Sequence, residues 1–322
     1  DAGSIQVGDM MAFITYTMQI VMSFLFFTFL MMQLPRAEVA AGRINEVLAT
    51  EVTVVDSKHI DDSKLKDVKG TLKFDNVSFT FDGADSPVLS NISFEAEAGK
   101  TTAIIGSTGS GKSTLLHLIP RYFDASEGEI SIDGVNIRDI SLSKLRDILG
   151  FVPQKGVLFS GNIESNIKFA DENITDEQMR KAAEIAQAIE FINEKENKFN
   201  SEISQGGSNV SGGQKQRLSI ARALAKNPKI LLFDDSFSAL DYKTDVKLRK
   251  TLREEMADVT TIIVAQRIAT ILNADKIIVM NEGKIVGIGK HQELLETCPT
   301  YLEIAESQLS EEELQKGGKH HG

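Results

Sequence analysis

Cysteine occurs once in the sequence, at Cys298, so no internal disulfide can form, which suits a reducing cytoplasm. Basic residues are in deficit: 35 Lys and Arg stand against 46 Asp and Glu, for a net charge of −11. That balance argues against a nucleic-acid surface, because phosphate backbones are met by clustered cations. Charge of either sign is missing from positions 10–34, a run made mostly of Met, Phe, Leu, Ile and Val. Internal repeats are absent. His117, His291 and the two terminal histidines show no metal-ligand spacing with one another or with Cys298, and no Ser or Cys has a nominated His partner. His117 reads as a packing residue on a helix and His291 as a helix start.

The uncharged run is long enough to cross a hydrocarbon core, which takes about 20 residues at a rise of about 1.5 Å. A signal peptide needs a basic leader and a shorter apolar stretch, whereas Asp1 and Asp9 come first here. A membrane helix is therefore expected, and Arg36 and Arg43 after it place its C-terminal side in the cytoplasm. Thr15, Gln19 and Ser23 fall at i, i+4 and i+8, one polar stripe that either packs on other helices or is simply tolerated. One helix cannot enclose a pathway, and the start at Asp1 favours a fragment. Helical spacing continues over 37–48, and 56–69 reads as a polar linker.

A charged, water-soluble domain is expected to follow, with a mainly parallel α/β core. Alternation predicts strands at 71–74 and 77–81, and a hairpin at 129–132 and 135–137 around Asp133-Gly134. Short continuous apolar runs at 100–105, 150–152, 229–233, 260–264 and 276–280 read as strands buried on both faces. Helices are expected at 114–119, 176–191 and 218–225. The tail 310–322 reads as disordered.

Gly106-Ser107-Thr108-Gly109-Ser110-Gly111-Lys112-Ser113 fits G-x-x-x-x-G-K-[ST] between a strand and a helix, the context that confirms a phosphate-binding loop. Glycines let the backbone wrap phosphates, Lys112 supplies a point charge, and the Ser113 hydroxyl can ligate Mg2+ beside Thr114. Asp234 directly follows an apolar strand, the place for an acidic residue of the metal shell. ATP with Mg2+ is the expected ligand pair. A second glycine pair, in Ser211-Gly212-Gly213-Gln214, opens another helix and offers a second anion-facing turn, although one nucleotide does not need two such sites from one chain.

Residues 209–217, Asn-Val-Ser-Gly-Gly-Gln-Lys-Gln-Arg, resemble the signature motif of ATP-binding cassette (ABC) proteins. Across 69–307, Gln154 resembles the Q-loop glutamine of that family, 238–241 its D-loop, and Phe81 its adenine-stacking aromatic. Phe81 also reads as a strand core residue. With the apolar helix in front, the chain resembles the last membrane helix (1–35), a cytoplasmic extension and linker (36–68) and the nucleotide-binding domain (69–309) of an ABC exporter. The resemblance implies a P-loop fold with an antiparallel β subdomain and an α-helical subdomain. It also implies a head-to-tail dimer in which each nucleotide lies between one P-loop and the other chain's signature, with Gln154 and Asp234 near the metal.

Two positions depart from that family. Asp235 stands where most members carry a catalytic Glu, and Gln266 stands where they carry a switch His. Both changes weaken one chemical step while the nucleotide-binding residues are kept. They resemble the degenerate half of heterodimeric bacterial exporters, with an active homodimeric exporter as the alternative. A soluble ABC ATPase of DNA repair or translation and a non-hydrolysing regulatory module are the competing classes. Phe13, Phe24, Phe26, Phe27 and Phe29 with six Met on the apolar run suit hydrophobic or amphipathic cargo, and lipid contact equally.

Overall fold

The computed structural model describes residues 6–57 and 60–309, so the terminal tail 310–322 lies outside the described residues. The chain divides into two units, the boundary falling between Thr53 and Val54.

The first unit is one helix, Val7–Leu48, of 42 residues and about 63 Å. The two helical stretches expected from sequence are thus a single element running through Pro35, which contributes no amide to the turn behind it. It is long and apolar enough to cross a membrane, and every residue of it is exposed. Its Thr and Ser hydroxyls are satisfied within the helix. Thr15 donates to the Met11 carbonyl at 2.8 Å, Thr17 to Phe13 at 2.7 Å, Ser23 to Gln19 at 2.8 Å and Thr28 to Phe24 at 2.9 Å. Such back-bonding removes the need for an outside partner at Thr15 and Ser23, so tolerance explains the stripe, except at Gln19.

The second unit is built on a six-stranded sheet. From one edge its strands are Lys284–Gly289, Lys276–Asn281, Thr101–Gly106, Thr260–Val264, Ile230–Asp234 and Leu149–Val152. All neighbours are parallel except the first pair. Successive residues point to opposite faces, so one strand feeds two cores: Ala103 and Ile105 enter one cluster, Ile104 the other. Leu231 and Phe233 likewise face away from Ile230 and Leu232. This is why these runs are apolar without alternation.

A four-stranded antiparallel sheet covers one side, in the order Leu89–Ala96, Leu72–Phe79, Glu127–Ile132 and Val135–Asn136. The two strands predicted around position 75 are one strand, bent where the register shifts between Phe74 and Val77. Asn76 sits there at φ 49°, a conformation its short amide side chain tolerates better than most. The hairpin forms where expected, with Asp133 at φ 50° and Gly134 at φ 79° making the turn that needs two positive φ values. The Asp133 carboxylate also accepts from the amides of Lys69, Gly70 and Thr71, at 2.8, 3.2 and 2.8 Å. The polar stretch 56–69 is tied to the unit as well. Asp62 accepts from the backbone amide and the hydroxyl of Ser141, Asp56 accepts from the Leu142 amide, and Leu65 is buried.

Helices Ile163–Ile167, Asp176–Ile185, Ile189–Glu194 and Gly212–Ala225 form a separate helical layer on the first core. The helix expected over 176–191 is broken in two. Gln187 at φ 55° ends the first piece, and its side-chain amide donates to the Glu184 and Ile185 carbonyls.

Candidate functional site

Parallel pairing places four strand ends side by side, since Val264 is opposite both Ile104 and Asp234, and Val152 is opposite Phe233. The loops that leave this carboxyl edge carry Ser107–Gly111, Asp235, Gln266 and Gln154, residues far apart in sequence.

The phosphate-binding loop starts at Gly106, the last residue of its strand, and ends at Gly111, which caps the helix Lys112–Leu118 at φ 92°. A Cβ at Gly106 would meet the Met280 carbonyl oxygen at 2.1 Å, and one at Gly111 would meet Leu89 at 2.7 Å. Ser107, Thr108 and Gly109 are exposed on the outer rim, while Ser110 is buried. The Lys112 ammonium, only 8 % exposed, donates to the Gly106 carbonyl at 2.9 Å, the Ser107 carbonyl at 2.7 Å and the Ser110 hydroxyl at 3.3 Å. Burial pushes its pKa down, and the charges of Asp235 and Asp234 oppose that. A buried cation bonded only to neutral oxygens fits a phosphate, which would complete its charge.

Ser113 donates to Asp234 Oδ1 at 2.7 Å, so the hydroxyl and carboxylate that could hold a cation already meet. Asp234 ends its strand and is buried. Together with the Gln154 side chain these are oxygen donors, the type that Mg2+ prefers. Thr114 lies on the same helix, half-buried.

Asp235 is 8 % exposed and sits at φ 47°, with its amide bonded to the Val264 carbonyl at 2.9 Å. Its Oδ2 accepts from two amides, Gln266 at 2.9 Å and Gln154 at 3.3 Å. Desolvation pushes its carboxyl above the ordinary carboxylate range, the nearby Asp234 charge adds to this, and the amide donors oppose it. Thus Asp235, Gln154 and Gln266, which sequence reading nominated separately, form one hydrogen-bonded set.

The signature turn opens helix Gly212–Ala225 through a reciprocal cap. The Ser211 hydroxyl accepts from the Gln214 amide at 3.2 Å, and the Gln214 side chain accepts from the Ser211 amide at 3.1 Å. A Cβ at Gly212 would meet open space, and at Gly213 only the Ala239 carbonyl at 3.6 Å. Ser211 and Gly212 are exposed, and neither Ser211 nor Gln214 bonds to the phosphate loop of this chain. Phe81 is half-exposed and meets Phe79 and Phe123 edge-on, at 4.7 and 5.3 Å between centroids. One ring therefore belongs to the edge of an aromatic cluster while keeping a free side.

A family model described as ABC transporter matches residues 89–238. An ABC transporter ATP-binding protein of Mycobacterium tuberculosis, itself uncharacterized, is 44 % identical over 96 % of this chain and 53 % of its own length. The ATP-dependent lipid A-core flippase of Aliivibrio fischeri is 41 % identical over 81 % of this chain and 45 % of its own. A solved bacterial Atm1-family ABC exporter with ATP bound superposes with a TM-score of 0.79 at 34 % identity, covering 96 % of this chain and 54 % of that one. The chain carries an ABC transporter ATP-binding domain. It spans about half the length of the relatives it matches. The P-loop fold, with mixed sheets and one N-terminal apolar helix, is that of this family. ABC ATPase domains bind ATP, and hydrolysis in the transporter is the family's activity.

One residue role in the ABC domain escaped the sequence reading and another was read in part. Gln216, 1 % exposed on the signature helix, donates to the Pro153 carbonyl at 3.1 Å and accepts from the Gly156 amide at 2.8 Å. It pins both sides of the Gln154 loop, and Ser236 adds a bond to the Val152 carbonyl at 2.9 Å. Gln216→Ala strands the Gly156 amide and leaves the Pro153 carbonyl only a 3.3 Å contact from the Ser236 hydroxyl, so it should cost about 1–2 kcal/mol by thermal or denaturant unfolding. An unfolding midpoint equal to that of the unsubstituted chain would contradict this role. The other is His117, which packs on Tyr122 and Phe151 as expected but also faces Asp234.

Proposed function

We propose that the chain is the ATP-binding part of one half of a membrane exporter. Its apolar helix crosses the cell membrane, the ABC domain lies in the cytoplasm, and its partner is a second exporter half. Residues 106–114 hold the phosphates of Mg-ATP, Phe81 takes the adenine, and Ser113, Asp234 and Gln154 serve the metal. Magnesium, where bound, neutralises charge on the phosphates. Hydrolysis at this site is slow, and the partner is a different chain whose own P-loop is completed by Ser211, Gly212, Gly213 and Gln214 of this one.

The observation that carries the slow-site reading is the shared grip of Gln154 and Gln266 on Asp235 Oδ2. A base must reach the proton of an attacking water, and base catalysis is lost when reach fails. Here the carboxylate is short, faces two amide donors, and has no imidazole beside it. The exposed signature turn, whose Ser211 and Gln214 bond each other and not this chain's phosphate loop, supports sharing across two polypeptides. The apolar face of Phe and Met, and the flippase among the relatives, favour hydrophobic or lipid-like cargo.

Ser211→Ala tests the composite site. In the assembled transporter it should lower hydrolysis at the partner's P-loop on the order of 10²-fold, as removal of one oriented donor does. Loss of the cap itself costs only about 1 kcal/mol, so the fold survives and a thermal melt checks it. Unaltered partner-site hydrolysis would sink the proposal. Lys112→Ala, by contrast, weakens nucleotide binding at this chain's own loop and changes turnover less.

A further inference from the structure

Ser113 and His117 are four residues apart on the helix Lys112–Leu118, hence on one face of it. Both point at the same carboxylate. Ser113 Oγ bonds Asp234 Oδ1 at 2.7 Å, and His117 Nε2 stands 3.6 Å from Oδ2, within direct electrostatic reach. One turn of helix therefore bonds Asp234 at one oxygen and faces the other with an imidazole nitrogen. The imidazole is in turn held in place by aromatic rings, with Tyr122 and Phe151 each 5.7 Å from its centroid. Tyr122 and Phe151 also meet edge-on at 5.5 Å, so the clamp closes on itself. A ring that only filled space would gain nothing from having a nitrogen turned toward the buried acid.

We propose that His117 is a positioning residue for the metal site: it fixes the rotation of the Asp234 carboxylate so that Oδ1 stays with Ser113 and is presented to Mg2+. The inference rests on the reading of Ser113 and Asp234 as the metal-binding pair. Outer partners of a ligating carboxylate orient it, and their loss weakens metal binding without touching the other ligands.

The test uses the full chain and a fluorescent N-methylanthraniloyl ATP, titrated at a series of free Mg2+ concentrations. His117→Leu keeps bulk between the two rings and removes the nitrogen. It should raise the Mg2+ concentration that gives the half-maximal effect about tenfold, while affinity for the nucleotide without Mg2+ is unchanged. His117→Gln, whose amide nitrogen takes the place of Nε2, should restore the original value. Asp234→Asn calibrates the experiment. If Asp234→Asn shifts the Mg2+ response and His117→Leu does not, the role of His117 is overturned. If His117→Leu weakens Mg2+-free binding in parallel, the residue is only a packing group and the proposal also falls. If Asp234→Asn itself leaves the response in place, the metal-site reading is what fails.

Discussion

Asp235→Glu combined with Gln266→His should raise ATP hydrolysis at this chain's own phosphate loop at least tenfold, because a positioned base contributes about 10²- to 10⁴-fold. Asp is shorter than Glu by one carbon–carbon bond, about 1.5 Å. The backbone has no freedom to make up that length. Asp235 is already in the left-handed region, and its amide is tied to the Val264 carbonyl of the neighbouring strand. Gln266 in the wild-type chain directs an amide at the carboxylate and cannot exchange a proton near neutral pH. The double change lengthens the acid and replaces that amide by a titratable ring. Turnover is read in the transporter assembled with the second, different half proposed above, its phosphate-loop lysine removed, so that only this site contributes. Either single change should give a smaller gain, since each leaves the other defect. No gain from the pair would mean that reach is not what limits the site.

Gly106→Ala should abolish most nucleotide binding and cost about 3 kcal/mol of stability, the upper range for overpacking. The methyl group would come within 2.1 Å of the Met280 carbonyl oxygen and 2.9 Å of the Ser110 hydroxyl. Met280 is opposite Gly106 in the sheet, so the obstacle is backbone held by its own ladder, and it cannot rotate aside. Relief must come from movement of the loop that follows. A displacement of about 1 Å there is enough to lose on the order of 10²-fold in function. Gly109→Ala is the control: its Cβ would meet nothing within 4 Å, and only its φ of 84° resists, at about 1–2 kcal/mol. Titration with a fluorescent ATP analogue should therefore rank Gly109→Ala well above Gly106→Ala in affinity. Equal affinities would contradict the close-approach account of Gly106.

These effects bear on residues that were legible in the sequence, and the reason is local. The phosphate loop and the turn at Asp133-Gly134 are written in consecutive residues whose backbone demands are specific. The parallel core was legible because strands such as Ile230–Asp234 are buried on both faces and carry no polar interruption. The strand break near position 75 and the unbroken helix over 176–191 were misread. Near 75 the polar Asp75-Asn76 pair interrupts the alternation, yet the strand pairs on through the irregularity at Asn76, whereas the left-handed Gln187 ends a helix that pattern and propensity would continue. Long-range partnerships were invisible for another reason. Ser113 and Asp234 could be assigned to one metal from their motifs, but their direct bond across 121 positions could not, and the bond between Gln216 and Gly156, 60 apart, had no signal at all. Motif spacing could nominate Asp235, Gln154 and Gln266 one at a time, but no spacing rule states that two amides share one oxygen of the acid.

The internal bonding of Thr15, Thr17, Ser23 and Thr28 has a mechanical consequence. With these four hydroxyls spent on carbonyls one turn back, the long helix can swivel about its own axis, or slide past a neighbour, without breaking a bond at any of them. What it offers a neighbour is then the exposed surface of its methionine and phenylalanine side chains, with Gln19 the member of the stripe whose side chain makes no bond among the described residues.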